Sequence, residues 1–223
     1  EFGLVQQKLA KMAEMTYAVE SIVYLSTGNM TKGMSDYYME TAVCKVFGSE
    51  CLWQTIDMGM QIAAGNGYMK EYPYERIMRD SRIQLIFEGT NEILRCLLAL
   101  SGVRGPSEDM KELGKISDMT NALHDPIKSL GVFTKFARKR LSNMMGSKQL
   151  TKAHPELKEQ AEKFSSCLGK FAIAVEDSLI KYGKKIIDNE LPQGRLADMV
   201  IDLYVMAAVI SRTTAILNSS KAT

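Results

Sequence analysis

The chain has 223 residues, is 46% hydrophobic, and carries 28 basic against 26 acidic side chains for a net charge of +2. That is apolar material enough for one large or two small domains, and so even a charge balance argues against nucleic acid as the main partner. Four cysteines without a CxxC pair and only two histidines argue against a zinc site and fit buried, reduced thiols in a reducing intracellular compartment.

The chain opens directly into a helical pattern. No secretory signal is visible at residue 1, so any targeting segment is expected upstream of this fragment. Leu4, Leu9, Met12, Thr16, Val19 and Val23 recur at three- and four-residue steps. Gly28-Asn29 is expected to stop that helix. Ser35-Asp36 is expected to start a second one, carrying Met39, Val43, Val46, Phe47 and Ile56, with Cys44 and Cys51 on one face. Gly65-Asn66-Gly67 should end it. Tyr72-Pro73 then leads into a short helix, Tyr74 to Asp80. After a break at Glu88-Gly89, a further helix carries Ile93, Leu94, Leu97 and Leu98.

Gly102 to Ser107 reads as a linker. Beyond it, Pro126 to Met145 is one candidate helix, and His154-Pro155-Glu156 opens a long one ending near Ile187. Leu191-Pro192 should break the pattern before an apolar helix from Arg195 to Leu217. Asp202 and Arg212 make that stretch too polar for a membrane span. No strand pattern persists, so the fold class is all-α: a helical bundle over residues 1–103 and a second helical domain over 107–223. Residues 1–100 carry a net charge of −3 and residues 101–223 a net of +5. The 15 methionines lie mostly at core spacing.

Glu88 stands between an apolar run (Ile83, Leu85, Ile86, Phe87) and Gly89-Thr90. A carboxylate in such company is expected to be poorly solvated. Burial would raise its pKa, and a base so tuned works near neutral pH. An ordinary connecting turn with Thr90 as the next N-cap explains the same residues, and on spacing alone it stands first. Gln61-Ile62-Ala63-Ala64-Gly65 offers small residues whose amides could face a phosphate. It ends a helix, so the dipole does not help, and a plain glycine stop stands first there too. Arg76, Arg79 and Arg82, interleaved with Glu75 and Asp80, read as partly exposed ion pairs. Phe133 to Arg140 mixes aromatic and basic residues. It suits either an anionic membrane surface or a solvated basic face, and the second stands first. His124 and His154 read as turn or cap residues.

Three motifs in order change the weighting. Gln61…Gly65-Asn66-Gly67-Tyr68, then Tyr72-Pro73-Tyr74-Glu75-Arg76-Ile77-Met78-Arg79-Asp80, then Phe87-Glu88-Gly89-Thr90-Asn91-Glu92-Ile93-Leu94-Arg95 fall within 35 residues. Together they resemble the C-terminal domain of the acyl-CoA dehydrogenases, with its first helix missing. Residues 107–223 resemble, incompletely, the extra helical domain of the very-long-chain branch and of acyl-CoA dehydrogenase family member 9. The carriers are His154-Pro155-Glu156-Leu157 and Arg195-Leu196-Ala197-Asp198 through Ile201-Asp202-Leu203-Tyr204. The Tyr72-Pro73-Tyr74-Glu75-Arg76 form is nearer the latter.

The resemblance implies α,β-dehydrogenation of a long-chain acyl-CoA thioester with FAD. Glu88 matches the base that removes the α-proton, and Glu88 and Gly89 match substrate contacts. Thr90, Asn91 and Glu92 match FAD contacts, and Gln61, Ile62, Ala63, Ala64 and Gly65 match the segment that reaches the FAD of a neighbouring subunit. A homodimer, electron-transfer flavoprotein as electron acceptor, and a peripheral place on the matrix side of the mitochondrial inner membrane are implied with it. The alternative it implies is a scaffold acting with respiratory complex I assembly factors. Where the family has Gly-Gly, this chain has Ala64-Gly65. A fragment without the family's N-terminal and β-domains is expected to be inactive alone.

Overall fold

The computed structural model describes residues 2–102, 150 and 152–220. The described residues form helices and turns, with no strand among them. They divide into two compact units: residues 1–95 with 204–213, and residues 96–203 with 214–223. Of the expected linker Gly102 to Ser107, Gly102 is still helical; residues 103–107, the helix from Pro126 to Met145, the segment Phe133 to Arg140 and His124 lie outside the described residues.

In the first unit, α1 (Gly3–Thr31) and α2 (Tyr38–Ala63) form the central pair. Ser26 meets Cys44 at 3.3 Å, and the bare backbones of Gly48 and Gly59 lie under Val19 and Met12. The pairing runs in opposite senses along the two helices, so they are antiparallel. Met15, Ala18, Ile22, Val43 and Val46 fill the core of this unit. The helix does not stop at Gly28-Asn29 as expected. It continues to Thr31, and Gly33 at φ 91° supplies the left-handed residue that ends it. The Gly33 N–H donates to the Met30 carbonyl at 3.0 Å and the Met34 N–H to the Asn29 carbonyl at 3.1 Å, the paired bonds of a Schellman end.

A four-residue turn, α3 (Gly65–Tyr68), follows α2, and then α4 (Tyr74–Arg82) begins behind Pro73. A 3-10 turn at Ile83–Leu85 leads to the Glu88 segment. Helix α5 covers residues 91–102. The middle of the last helix, Tyr204–Thr213, completes this unit. The Tyr204 hydroxyl bonds to Ser26 Oγ at 2.8 Å, and Arg212 pairs with Glu20 at 2.7 Å while its guanidinium stands 4.3 Å from the Tyr17 ring centre.

In the second unit, a 3-10 turn at Pro155–Leu157 feeds α6 (Lys158–Tyr182). The expected single helix to Ile187 is broken at Gly183, φ 53°, and continues as a 3-10 stretch to Asp188. The last helix, α7, starts at Glu190 and not at Arg195. Leu191-Pro192 therefore opens it instead of breaking it, because a proline in the first turn forfeits no intrahelical N–H. Gln193, 1% exposed, closes the joint by donating its amide to the Ile186 and Ile187 carbonyls at 2.6 and 2.9 Å. By length and composition α7 is apolar enough to cross a membrane, at a mean hydropathy of 1.6. The expectation that Asp202 and Arg212 rule this out on polarity is corrected to that extent. What marks this helix as packed is the set of side-chain bonds from Tyr204 and Arg212 to α1.

Candidate functional site

The segment around Glu88 is a left-handed turn. Glu88 and Gly89 have φ 56° and 93°. Glycine adopts this region freely, whereas a side-chain-bearing residue pays roughly 1–2 kcal/mol. A Cβ at Gly89 would only touch the Leu94 side chain, at 3.4 Å, so it is the backbone conformation that calls for glycine. Thr90 caps α5, with its Oγ1 accepting from the Ile93 N–H at 3.4 Å. The connecting-turn geometry weighed from the sequence is thus present, and the left-handed turn is added to it.

Glu88 is exposed, and Ile83, Ile86 and Phe87 are 48%, 47% and 43% exposed beside it. The poor solvation expected from these neighbours is therefore not found. Adjacency in sequence does not bury a side chain; a covering element must do so, and α2 lies behind the turn. Among the described residues the Glu88 backbone N–H has no acceptor.

What holds the turn is a polar network that sequence reasoning missed. The Lys45 ammonium donates to the Gly89 carbonyl at 2.8 Å and to Asn91 Oδ1 at 2.7 Å. Asn91, 2% exposed, donates its amide to Ser49 Oγ at 3.0 Å and to Glu50 Oε1 at 3.1 Å. Glu50 accepts the Arg95 guanidinium in a bidentate pair at 2.7 and 2.9 Å. Lys45 and Ser49 on α2, like Asn91 and Arg95 on α5, are four apart and so share a helix face. The i, i+4 spacing of these polar residues was the available signal. Burial pulls the Lys45 pKa below its ordinary value, while Glu92 and Glu50 push it back up. The Asn91 side chain is fully engaged inside the protein, so it positions the turn and is not free to meet a ligand.

Thr90 is half-buried and Glu92 exposed. The Glu92 carboxyl lies below its usual pKa, held by its own backbone N–H and then by the Thr90 hydroxyl. Gln61, Ala64 and Gly65 are exposed, and Ile62 and Ala63 are half-buried. A Cβ at Gly65 would meet nothing, so its backbone is open to approach. At Gly67 a Cβ would run into the Met60 carbonyl, 3.0 Å from its carbon. Ala64 sits at φ 53°, ψ −130°, a conformation that suits glycine. Lys45 and Gln61 are 16 positions apart on one helix, roughly 24 Å along its axis. The two predicted cofactor segments therefore lie at opposite ends of α2 and are not brought together within one chain.

Arg79 pairs with Glu75 at 2.9 Å, and Arg82 stands 5.8 Å from the Trp53 ring centre; neither approaches as a spare cation. Burial raises the thiol pKa of Cys44, and that of Cys51 to about 11, which leaves both as poor nucleophiles. In the second unit His154 accepts the Glu156 N–H at 3.3 Å, the cap role expected of it. A cavity of about 230 Å³ there is lined by His154, Pro155, Lys158, Glu162 and Ser165.

Two families and several known proteins match this chain. The family described as acyl-CoA dehydrogenase, C-terminal domain, matches residues 1–102, and the family described as ACAD9/ACADV, C-terminal domain, matches residues 155–223. The very long-chain specific acyl-CoA dehydrogenase, mitochondrial, of Rattus norvegicus is 41% identical over 96% of this chain and 32% of its own length; that of Homo sapiens is 40% identical over 100% and 34%. A probable acyl-CoA dehydrogenase of Bacillus subtilis is 33% identical over 95% of this chain and 35% of its own length. The crystal structure of an acyl-CoA dehydrogenase complexed with FAD from Bacillus anthracis superposes with a TM-score of 0.74 and 31% identity, over 98% of this chain and 37% of that one. The chain spans about a third of the length of the curated relatives it matches.

Proposed function

Because the chain belongs to the acyl-CoA dehydrogenase family through its C-terminal part, we propose that it supplies the catalytic base and part of the cofactor site of an FAD-dependent long-chain acyl-CoA dehydrogenase. The observation that carries this reading is the exposed Glu88 in a left-handed turn with its backbone N–H unused. Its carboxylate takes the α-proton of the thioester. Its N–H is available to the thioester carbonyl oxygen, where charge develops as that proton leaves. Gly89, lacking a Cβ, lets the substrate approach the turn closely. FAD, when bound, accepts the β-hydrogen as hydride.

Thr90 and Glu92 in the first turn of α5, and the open backbone of Gln61 to Gly65 at the far end of α2, fit a bound FAD. Their separation along α2 supports two cofactors and two chains, each chain giving Gln61 to Gly65 to its neighbour's FAD. This reading makes the protein a homodimer. We assign residues 1–103 to the catalytic helical domain and 107–223 to the additional one; the family matches over 1–102 and 155–223 support the division, with residues 204–213 lent to the first compact unit. The exposed Ile83, Ile86 and Phe87 beside Glu88 fit a site covered by the remainder of the protein, so the chain alone is inactive. The mitochondrial relatives support a mitochondrial location, with electrons passed to electron-transfer flavoprotein at the matrix face of the inner membrane.

The test is anaerobic mixing of the full-length protein with palmitoyl-CoA while flavin absorbance is followed. Wild type bleaches, and Glu88→Gln does not. Equal bleaching by the variant removes Glu88 from the role. One observation favours a second reading, a complex I assembly scaffold: Ala64 places a methyl where the backbone conformation suits glycine, within the cofactor segment itself. Purification of the full-length protein without flavin but with assembly-factor partners would support the scaffold.

A further inference from the structure

We propose that Lys45 is a positioning residue for Glu88, clamping the Glu88-Gly89 turn to α2 through the Gly89 carbonyl and the Asn91 side chain; this rests on the base role given to Glu88 above. Two successive residues on the left-handed side of the backbone map do not hold themselves there. On the N-terminal side the last backbone bonds are those of the Ile86 and Phe87 N–H groups to the Ile83 carbonyl, and on the C-terminal side the chain is fixed again at the Thr90 cap. Between them, among the described residues, the hydrogen bond to the backbone of 88–89 is the one from Lys45, at 2.8 Å.

The clamp is itself braced. The same ammonium holds Asn91 Oδ1 at 2.7 Å, and Asn91 is fixed through Ser49 and Glu50 to Arg95. The position of the Gly89 carbonyl is therefore referred to α2 and α5 at once. Without the ammonium, Gly89 O has only water, and Glu88 can relax toward an ordinary φ. That rotation swings its carboxylate and its N–H away together. The effect falls mainly on the chemical step, because the Glu88 carboxylate acts only as the proton leaves and its N–H gains most where charge then develops on the carbonyl oxygen.

The test uses the full-length flavoprotein with Lys45→Met, which keeps bulk and removes the donors, and Lys45→Arg, which keeps a cation and N–H donors. Flavin reduction by palmitoyl-CoA is read in single turnovers over a range of concentrations. Hydrogen exchange of the 86–92 amides is read in parallel, without substrate. The expected result for Lys45→Met is a limiting reduction rate lowered about ten- to a hundredfold, as misplacement of a reacting group by an ångström commonly produces. The half-saturating acyl-CoA concentration should stay within about threefold, a change small beside the tenfold that 1.4 kcal/mol represents. Exchange at 86–92 should speed up, and Lys45→Arg should restore most of both. An unchanged limiting rate, or unchanged exchange at 86–92, overturns the proposal. So does an equal loss of rate, flavin and melting temperature in both variants, which would mark a general folding role. Should Lys45→Met not accumulate, Lys45→Gln, which is shorter, uncharged and keeps only an amide NH2, must fall between wild type and full loss in rate and exchange, and wild-type values in it would refute the clamp. Failure of the base reading is separable: Glu88→Gln would then reduce its flavin as fast as wild type, whatever the Lys45 variants do.

Discussion

Replacing Ala64 by glycine should stabilise the protein, although glycine ordinarily loses more backbone entropy on folding than alanine does. Ala64 sits at φ 53°, ψ −130°, where strain on a side-chain-bearing residue is about 1–3 kcal/mol. Glycine removes that strain and costs about 0.5–1 kcal/mol in backbone entropy. The net gain is about 1 kcal/mol. Three residues on, Gly67 gives the opposite sign. Its Cβ would run into the backbone carbonyl of Met60, an atom that cannot swing aside, so Gly67→Ala should cost more than about 3 kcal/mol, the range of severe core defects. Urea unfolding of wild type and both variants side by side is the assay. At a slope of roughly 2–3 kcal/mol per molar urea, Ala64→Gly should raise the midpoint by about 0.3–0.5 M. A lowered midpoint for Ala64→Gly, or a neutral Gly67→Ala, would refute the reasoning from backbone geometry.

Arg212 is 24% exposed, pairs with Glu20 at 2.7 Å, and stacks at 4.3 and 5.1 Å from the ring centres of Tyr17 and Tyr24. Arg212→Met should cost about 2–3 kcal/mol from the lost charged hydrogen bond and two cation–π contacts, and Arg212→Lys should recover no more than about half, lacking the planar fork; equal unfolding midpoints for Lys and Arg would contradict this. Glu92, whose folded pKa is depressed by its own N–H and Thr90, contributes stability that is present above its unfolded pKa and lost as pH falls through the folded one. Thr90→Val should therefore narrow the wild-type advantage on acidification, seen as converging urea midpoints below the carboxylate range, whereas a gap that is constant with pH would show that the hydroxyl does not act on Glu92.

Local signals were legible in the sequence, and long-range ones were not. The periodicity of Met12, Val19, Val43 and Val46 located α1 and α2, and Thr90 was readable as a cap. Gly28 misled because glycine inside a helix costs about 1 kcal/mol, too little to end a helix that packs along its length; Gly33 ends it through its positive φ. Pro192 misled because the sign of a proline depends on whether it stands inside a helix or in its first turn. The Glu88 segment was found by motif order, but its exposure was not, since solvation depends on what covers a residue. Lys45 escaped notice because its partners lie 44 and 46 residues away. The engagement of Asn91, assigned by resemblance to cofactor contact, was hidden for the same reason.

The contribution of Tyr204–Thr213 to the first unit has a consequence for synthesis on the ribosome. The bonds from Tyr17 to Thr213 and from Ser26 to Tyr204 span 196 and 178 residues. At about 5–20 residues per second, the unit that bears Glu88 must wait tens of seconds with one flank of α1 uncovered. During that interval the α1 face that carries Tyr17, Ser21 and Ser26 lacks its partners Thr213, Arg212 and Tyr204. A late nonsense codon, before residue 204, would therefore injure the base-bearing unit at a distance of more than a hundred residues from Glu88 in the gene.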